Sequence, residues 1–317
     1  MAEKLAVVAI GGNSLIKDNK KVSVEDQYLA AKETTFHIAD MIEGGWNVAI
    51  GHGNGPQVGF ILRRSEIAHR VENMHEVPLE VCGADSQGAI GYALQQTLQN
   101  ELKRRGIKKS VVTVVTQVLV DKEDKAFKNP SKPIGGFMDE ADAKKRETDL
   151  GWNIVEDSGR GWRRVVASPI PQEVVELTSV KVLLDAGQIV ITVGGGGIPV
   201  IEENGYLKGT AAVIDKDYAS SLLAREIKAD LFIISTAVEK VALNFGKPDV
   251  KWLDKMTLSE AKAYLADGSH FAKGSMAPKI QAIIWYMEAG GKQALITNPE
   301  NIGRALKGET GTWILPD

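Results

Sequence analysis

Three lysines stand in settings that could hold an anion. Lys132 lies in Asn129-Pro130-Ser131-Lys132-Pro133-Ile134-Gly135, where two prolines with fixed φ stiffen the backbone and aim the side chain. Lys216 lies between Asp215 and Asp217. Their carboxylates keep the ammonium charged and directed, and Asp217 is placed to cap the helix that follows. Lys279 follows Gly274-Ser275-Met276-Ala277-Pro278, a glycine turn leading into a helix with proline near its first position, which is an anion site by geometry. Any one of them alone is an ordinary surface lysine. The three as a set point to phosphoryl transfer, whose transition state spreads charge over oxygens and needs positioned cations more than covalent partners. One such donor is typically worth about 10² to 10³ in rate.

Glycine-rich turns supply the other half of a phosphate site. Gly11-Gly12-Asn13, Gly51-His52-Gly53-Asn54-Gly55 and residues 194–197 each follow a short apolar segment. In a parallel sheet such turns share one edge, where glycine lets backbone N–H groups approach a ligand. Two familiar templates are absent: no Gly-x-x-x-x-Gly-Lys-Ser/Thr occurs, and no Gly-x-Gly-x-x-Gly opens a helix. The charge of any phosphate must therefore be met by lysines from elsewhere in the chain.

The elements that position these groups read as α/β. Apolar segments over 5–10, 46–50, 111–120, 189–193, 231–235, 294–297 and 312–315 predict strands, most of them apolar on both faces as a doubly covered sheet requires. Ser23-Val24-Glu25-Asp26 opens a helix that stops at Gly44-Gly45, and Thr257-Leu258-Ser259-Glu260 reads as a capping box. Further helices are predicted over 89–105, 173–185, 217–227 and 278–289. Glu202-Glu203-Asn204-Gly205 reads as a hairpin turn. Residues 121–169 break this rhythm with prolines, lysines and Gly159-Arg160-Gly161, and read as an inserted subdomain or lid.

Composition narrows the function. In 317 residues, 38 basic and 41 acidic side chains give a net charge of −3, with 44% hydrophobic and 25% charged residues. A globular chain follows, not a disordered one or a basic nucleic-acid coat. Glycine is in excess, 32 residues, about 10% against a usual ~7%. Cys82 is the single cysteine, so no internal disulfide forms, and it reads as a small buried hydrophobe in a reducing, cytoplasmic compartment. No apolar run approaches the roughly 18 to 20 residues of a membrane span. Among five histidines no His-Glu-x-x-His pair occurs; His37 and His69 fall on helical stretches and His52 in its loop. Arg160, Arg163 and Arg164 could close over an anion, but a solvated face is the simpler account.

A rival reading makes Ser86 a nucleophile. Ala84-Asp85-Ser86-Gln87-Gly88 is one residue from a Gly-x-Ser-x-Gly elbow, with Asp215 or Asp217 and His270 downstream in hydrolase order. It needs residues 78–82 as a strand, where Pro78 fits poorly, and it leaves the lysines unexplained. A nucleotide-binding regulatory module would keep the glycine loops but need no convergent cations.

Over essentially its whole length the sequence resembles the carbamate kinases of the amino acid kinase superfamily. The likeness rests on Ala9-Ile10-Gly11-Gly12-Asn13, on Gly51-His52-Gly53-Asn54-Gly55-Pro56-Gln57-Val58-Gly59, on Ser86-Gln87-Gly88, Thr116-Gln117 and on residues 127–135. It continues through Glu156-Asp157-Ser158-Gly159-Arg160-Gly161-Trp162-Arg163, residues 194–199, Ala212-Val213-Ile214-Asp215-Lys216-Asp217, residues 245–249 and Gly274-Ser275-Met276-Ala277-Pro278-Lys279.

The resemblance implies a three-layer αβα sandwich around a mainly parallel eight-stranded sheet, in one domain over 1–317. It implies a substrate lobe over about 1–188, a nucleotide lobe over about 189–317, a protruding subdomain over 121–169 and a homodimer. The implied reaction is reversible phosphoryl transfer between ATP and carbamate, run toward ATP in catabolism; a kinase for another small carboxylate is the alternative. By motif, Gly11, Gly12, Asn13, Gly53 and Asn54 would cradle the carbamate and the transferring phosphoryl group. Lys132 would reach in from the subdomain, and Lys216 would bridge phosphoryl oxygens with Asp217 orienting it. Lys279, Gly195, Gly196, Ser275 and Met276 would lie along the nucleotide, with Ala237 and Phe245 in the adenine region. Magnesium would ride on the nucleotide phosphates, with no protein ligand. Ser14, Ser131 and Ala167 depart from the family's usual alanine, threonine and proline. Ala237 and Phe245 depart from glycine or aspartate and from tyrosine.

Overall fold

The computed structural model describes residues 4–12, 15, 22–157, 159–272 and 274–317. The chain opens with β1 (Lys4–Ile10), α1 (Val24–Glu43) and β2 (Trp46–His52). Two helices follow, α2 (Gly55–Glu72) and α3 (Leu79–Arg104), then β3 (Val111–Thr113) and β4 (Gln117–Val120). The next stretch holds β5 (Lys132–Met138), α4 (Glu140–Leu150), β6 (Asn153–Glu156) and β7 (Trp162–Val166). After it come β8 (Pro171–Val174), α5 (Leu177–Asp185), β9 (Ile189–Ile191) and the hairpin β10 (Ile198–Glu203) to β11 (Tyr206–Gly209). Then follow α6 (Lys216–Glu226), β12 (Leu231–Ser235), β13 (Val241–Leu243), β14 (Lys251–Leu253) and β15 (Lys255–Thr257). Helices α7 (Leu258–Asp267) and α8 (Met276–Glu288), strand β16 (Ala294–Thr297), helix α9 (Ile302–Leu306) and strand β17 (Thr312–Leu315) close the fold.

The main sheet has eight strands in the order β15-β17-β16-β12-β1-β2-β9-β3. Every neighbouring pair is parallel except β16 with β17. Its central strands bury both faces. Ala6, Val8 and Ile10 pack into a core that includes Ile38 of α1 and Leu94 of α3, while Val7 and Ala9 face Leu223 of α6 and Ile283 of α8. Helices therefore cover both sides and the molecule has the expected three layers, α/β/α. Among the described residues no helix is long and apolar enough to cross a membrane.

Local chemistry explains most boundaries. Thr257 with Glu260 forms the predicted capping box on α7, and Ser23 with Asp26 forms another at the predicted start of α1. Asn204 and Gly205 at φ 53° and 81° turn the β10–β11 hairpin. Several expectations change. The 111–120 segment is two strands: β3 stays in the main sheet, and β4 joins β8 and β10 in a separate four-stranded sheet. The 173–185 segment likewise divides between β8 and α5. Residues 78–82 are not a strand, because Leu79 begins the long helix α3. Helix α2 was foreseen only as a helical stretch around His69; its start at Gly55 was not, since Gly55, Pro56 and Gly59 depress the apparent helix propensity of its first turns.

Strands β5, β7 and β6 form a third, three-stranded sheet. It docks on α2 through Gly59, where an added Cβ would overlap the backbone of Gly135.

Candidate active site

A cavity of about 1060 Å³ opens beyond the C-terminal ends of β1, β2 and β9, the edge on which the three glycine turns were expected to meet. Gly12, Gly53, Asn54 and Gly195 line its floor, the N-termini of α6 and α8 one side, and β5 with Arg160 and Arg163 the opposite wall. The floor is built under strain. Val193 adopts φ 45°, rare for a β-branched residue, and Gly195, Gly196 and Gly197 follow at positive φ. Side chains at 194, 195 and 196 would collide with His52, Asn54 and the Ile214 carbonyl respectively. Gln87 ties this loop down, donating to Gly194 O and Thr116 O at 2.9 Å each.

The three lysines converge on two aspartates. Asp215, not Asp217, is the N-cap of α6: its Oδ1 accepts from Asp217 N at 2.8 Å, and its Oδ2 accepts from Lys132 Nζ. Asp217 sits one position inside the helix and accepts from Lys216 Nζ on Oδ1 and from Lys279 Nζ, 2.9 Å away, on Oδ2. Three ammonium groups against two carboxylates leave one positive charge in excess. Burial opposes ionisation of both aspartates, yet Lys132 beside Asp215 and Lys216 beside Asp217 hold each well below the ordinary carboxylate range. Burial pushes the Lys216 ammonium down although Asp217 opposes it. For Lys279 burial also pulls down, but Asp217 and Asp215 outweigh it and the pKa rises.

Asn54 Nδ2 donates to Ser86 Oγ at 2.8 Å, and Ser86 Oγ donates to Gly83 O at 2.6 Å. Ser86 therefore lies within α3 as a support for Asn54. No strand-to-helix elbow presents it, and His270 is engaged with Asn244 Oδ1 at 3.0 Å. His52 Nδ1 donates to Gly53 O at 3.1 Å, and burial holds its pKa down at about 4, so the ring is neutral.

The remaining expected residues are placed as follows. Ser275 lines the cavity; Gly11 donates its N–H to Ser235 O below it, at 3.0 Å. Gly196 and Met276 are packed behind the lining residues. Ala237 and Phe245 are exposed and do not line it, and Phe245 packs edge-on against Trp252. Asn13 and Ser14 lie outside the described residues. Sequence reasoning passed over Arg160 and Arg163 as a solvated face, whereas both line the cavity and share Asp157.

The profile of the amino acid kinase family matches residues 4–298. A carbamate kinase from Thermococcus kodakarensis is 50% identical over 98% of this chain and 99% of its own. The chain belongs to the carbamate kinases of the amino acid kinase family. A carbamate kinase-like protein of Escherichia coli K12, YqeA, is 51% identical over 99% of each chain. The structure of a Giardia lamblia carbamate kinase bound to AMP-PNP superposes with a TM-score of 0.90 at 42% identity, covering 100% of this chain and 99% of that one. Membership makes the protein a phosphotransferase. The site has the physical requirements for that chemistry: excess positive charge, unhindered backbone at the glycine turns, and two helix N-termini facing one cavity.

Proposed function

We propose that the protein transfers phosphoryl reversibly between ATP and carbamate, acting in the cell to make ATP from carbamoyl phosphate and ADP during catabolism. The observation that carries this is the convergence of Lys132, Lys216 and Lys279 on Asp215 and Asp217 over the glycine floor, in a chain half identical to a carbamate kinase along its length.

In the ATP-forming direction a β-phosphate oxygen of ADP attacks the phosphorus of carbamoyl phosphate. The bond from phosphorus to the carbamoyl oxygen breaks, and carbamate leaves as an anion. No proton changes place, so no general base is needed. A neutral, buried His52 is compatible with that step. Lys132 meets the acid side and Lys216 the transferring group. Lys279, Ser275 and Gly195 meet the nucleotide, the kind of ligand that AMP-PNP represents in the Giardia relative. Gly12, Gly53 and Asn54 form the cradle, with Gly11 beneath it and Gly196 and Met276 behind it; Asn13, outside the described residues, is assigned to it by the family motif alone. Ala237 and Phe245 serve the adenine, which requires the nucleotide to reach beyond the cavity wall. Magnesium enters with the nucleotide as its phosphate complex, since Asp215 and Asp217 are already taken by lysines.

The same reading divides the chain into a substrate lobe, a nucleotide lobe and an inserted subdomain over 121–169 that carries Lys132. It places the enzyme in the cytoplasm, with its nucleotide, as a homodimer. Exposed Leu29 and Phe36 on α1 and Tyr92 on α3 support pairing of two copies.

The test is ATP formation from ADP, magnesium and carbamoyl phosphate, corrected for spontaneous breakdown of the acyl phosphate. Wild type should turn over and Lys132→Ala should lose turnover with ADP binding nearly intact. No synthesis by folded wild-type protein, with synthesis from acetyl phosphate instead, would move the acceptor to another small carboxylate.

A further inference from the structure

Lys132 projects from a strand that is distorted three residues further on. The pairing of β5 with β7 shifts register between Ile134 and Met138, and Gly135 takes φ 71°, a conformation natural to glycine at a bulge. At the same residue β5 touches α2 backbone to backbone, with no room for a side chain at Gly59. The shape of this bulge therefore sets how the three-stranded sheet sits on α2, and Lys132 with it.

One side chain grips the bulge. Arg163 on β7 donates from one terminal nitrogen to Gly135 O at 3.0 Å. Its other terminal nitrogen lies 3.3 Å from Asp157 Oδ2, and its guanidinium carbon lies 5.3 Å from the Phe137 ring centroid. The side chain is 14% exposed and lines the cavity. A planar fork donating in two directions is a task for arginine that lysine cannot reproduce.

We propose that Arg163 is a positioning residue for phosphoryl transfer: through the Gly135 carbonyl it holds the β5 bulge against Gly59 and so sets the reach of Lys132 into the cavity. This rests on the catalytic role given to Lys132. It differs from direct binding of substrate by Arg163, which the cavity-lining position also allows.

The experiment compares ATP formation from magnesium-ADP and carbamoyl phosphate in wild type, Arg163→Gln, Arg163→Lys, Lys132→Ala and the double variant Arg163→Gln with Lys132→Ala. ADP titration by calorimetry accompanies it. Misplacement of a catalytic group by an ångström can cost about 10²-fold, so kcat should fall by about 10- to 100-fold in Arg163→Gln. KM for carbamoyl phosphate and the ADP affinity should hold. Arg163→Lys, which keeps charge and stem and so protects folding, should show a smaller fall with the same split. In the Lys132→Ala background the Arg163 change should cost nothing more. A raised KM with kcat retained, a full further loss in the double variant, or unchanged kcat in both single Arg163 variants overturns the inference. Full activity of Lys132→Ala overturns the site reading itself, and this inference with it; an inactive Lys132→Ala beside an unaffected Arg163→Gln overturns this inference alone.

Discussion

Lys132 donates to Asp215 across 83 residues of sequence, and that contact joins the three-stranded sheet to the helix that carries Lys216. Asp215 caps α6 with its other carboxylate oxygen. A single carboxylate thus fixes the start of the helix and gives the Lys132 ammonium its partner in the cavity.

Asp217 holds two cations, and its loss should be felt in both stability and rate. Removing the shared partner of a buried ion pair typically costs about 3 to 5 kcal/mol, and Asp217→Ala leaves Lys216 and Lys279 uncompensated. Urea unfolding should report a loss of that size, and turnover should fall at least about 10²-fold. Wild-type stability in the variant would mean that the two lysines find other partners.

On the proposed reading, Lys279→Ala removes one charge-assisted donor to the nucleotide. Such a contact is worth about 1.5 to 3 kcal/mol, so ADP should bind roughly 10- to 100-fold more weakly. An unchanged ADP titration would take Lys279 out of the nucleotide site.

Ser86→Ala should leave phosphoryl transfer largely standing. It removes two hydrogen bonds, the one Ser86 accepts from Asn54 and the one it donates to Gly83 O, each worth about 1 kcal/mol. The expected result is a small drop in thermal midpoint and a modest change in turnover. Complete inactivation would return attention to Ser86 as a nucleophile.

Acid should weaken the fold before the aspartates titrate. His52 has a folded pKa of about 4 against 6.5 when free, because burial excludes its charged form. Between those values the unfolded chain binds a proton that the folded chain refuses, so stability falls as pH falls through this window. The total is on the order of 3 kcal/mol. Asp215 and Asp217, with depressed folded values, add a further loss only as pH drops below their free value of 3.8. Urea unfolding at neutral pH and just above pH 4 measures the first effect, and His52→Asn should flatten it.

Local signals carried most of the fold and much of the candidate site. Glycine turns after β1, β2 and β9 were legible because a tight strand-to-helix turn has few chemical solutions, and the capping boxes of α1 and α7 because their hydrogen bonds span three residues. The lysines stood out through their own neighbours. What escaped depends on distant partners. Arg163 is defined by Gly135, 28 residues away, and the glycine-rich first turns of α2 by their packing against β5. The division of 111–120 is decided by which sheet offers an open edge, and the choice of Asp215 over Asp217 as cap by a lysine from another sheet.

Lys132 and Val166 are paired neighbours on β5 and β7. The loop of chain between them leaves the fold and returns to it at nearly one point, like a drawer on a single pair of runners. Its cavity-facing wall can be exchanged, lengthened or stripped back without rerouting any strand of the main sheet. One wall of the cavity is thereby inherited on a piece of chain separable from the floor beneath it.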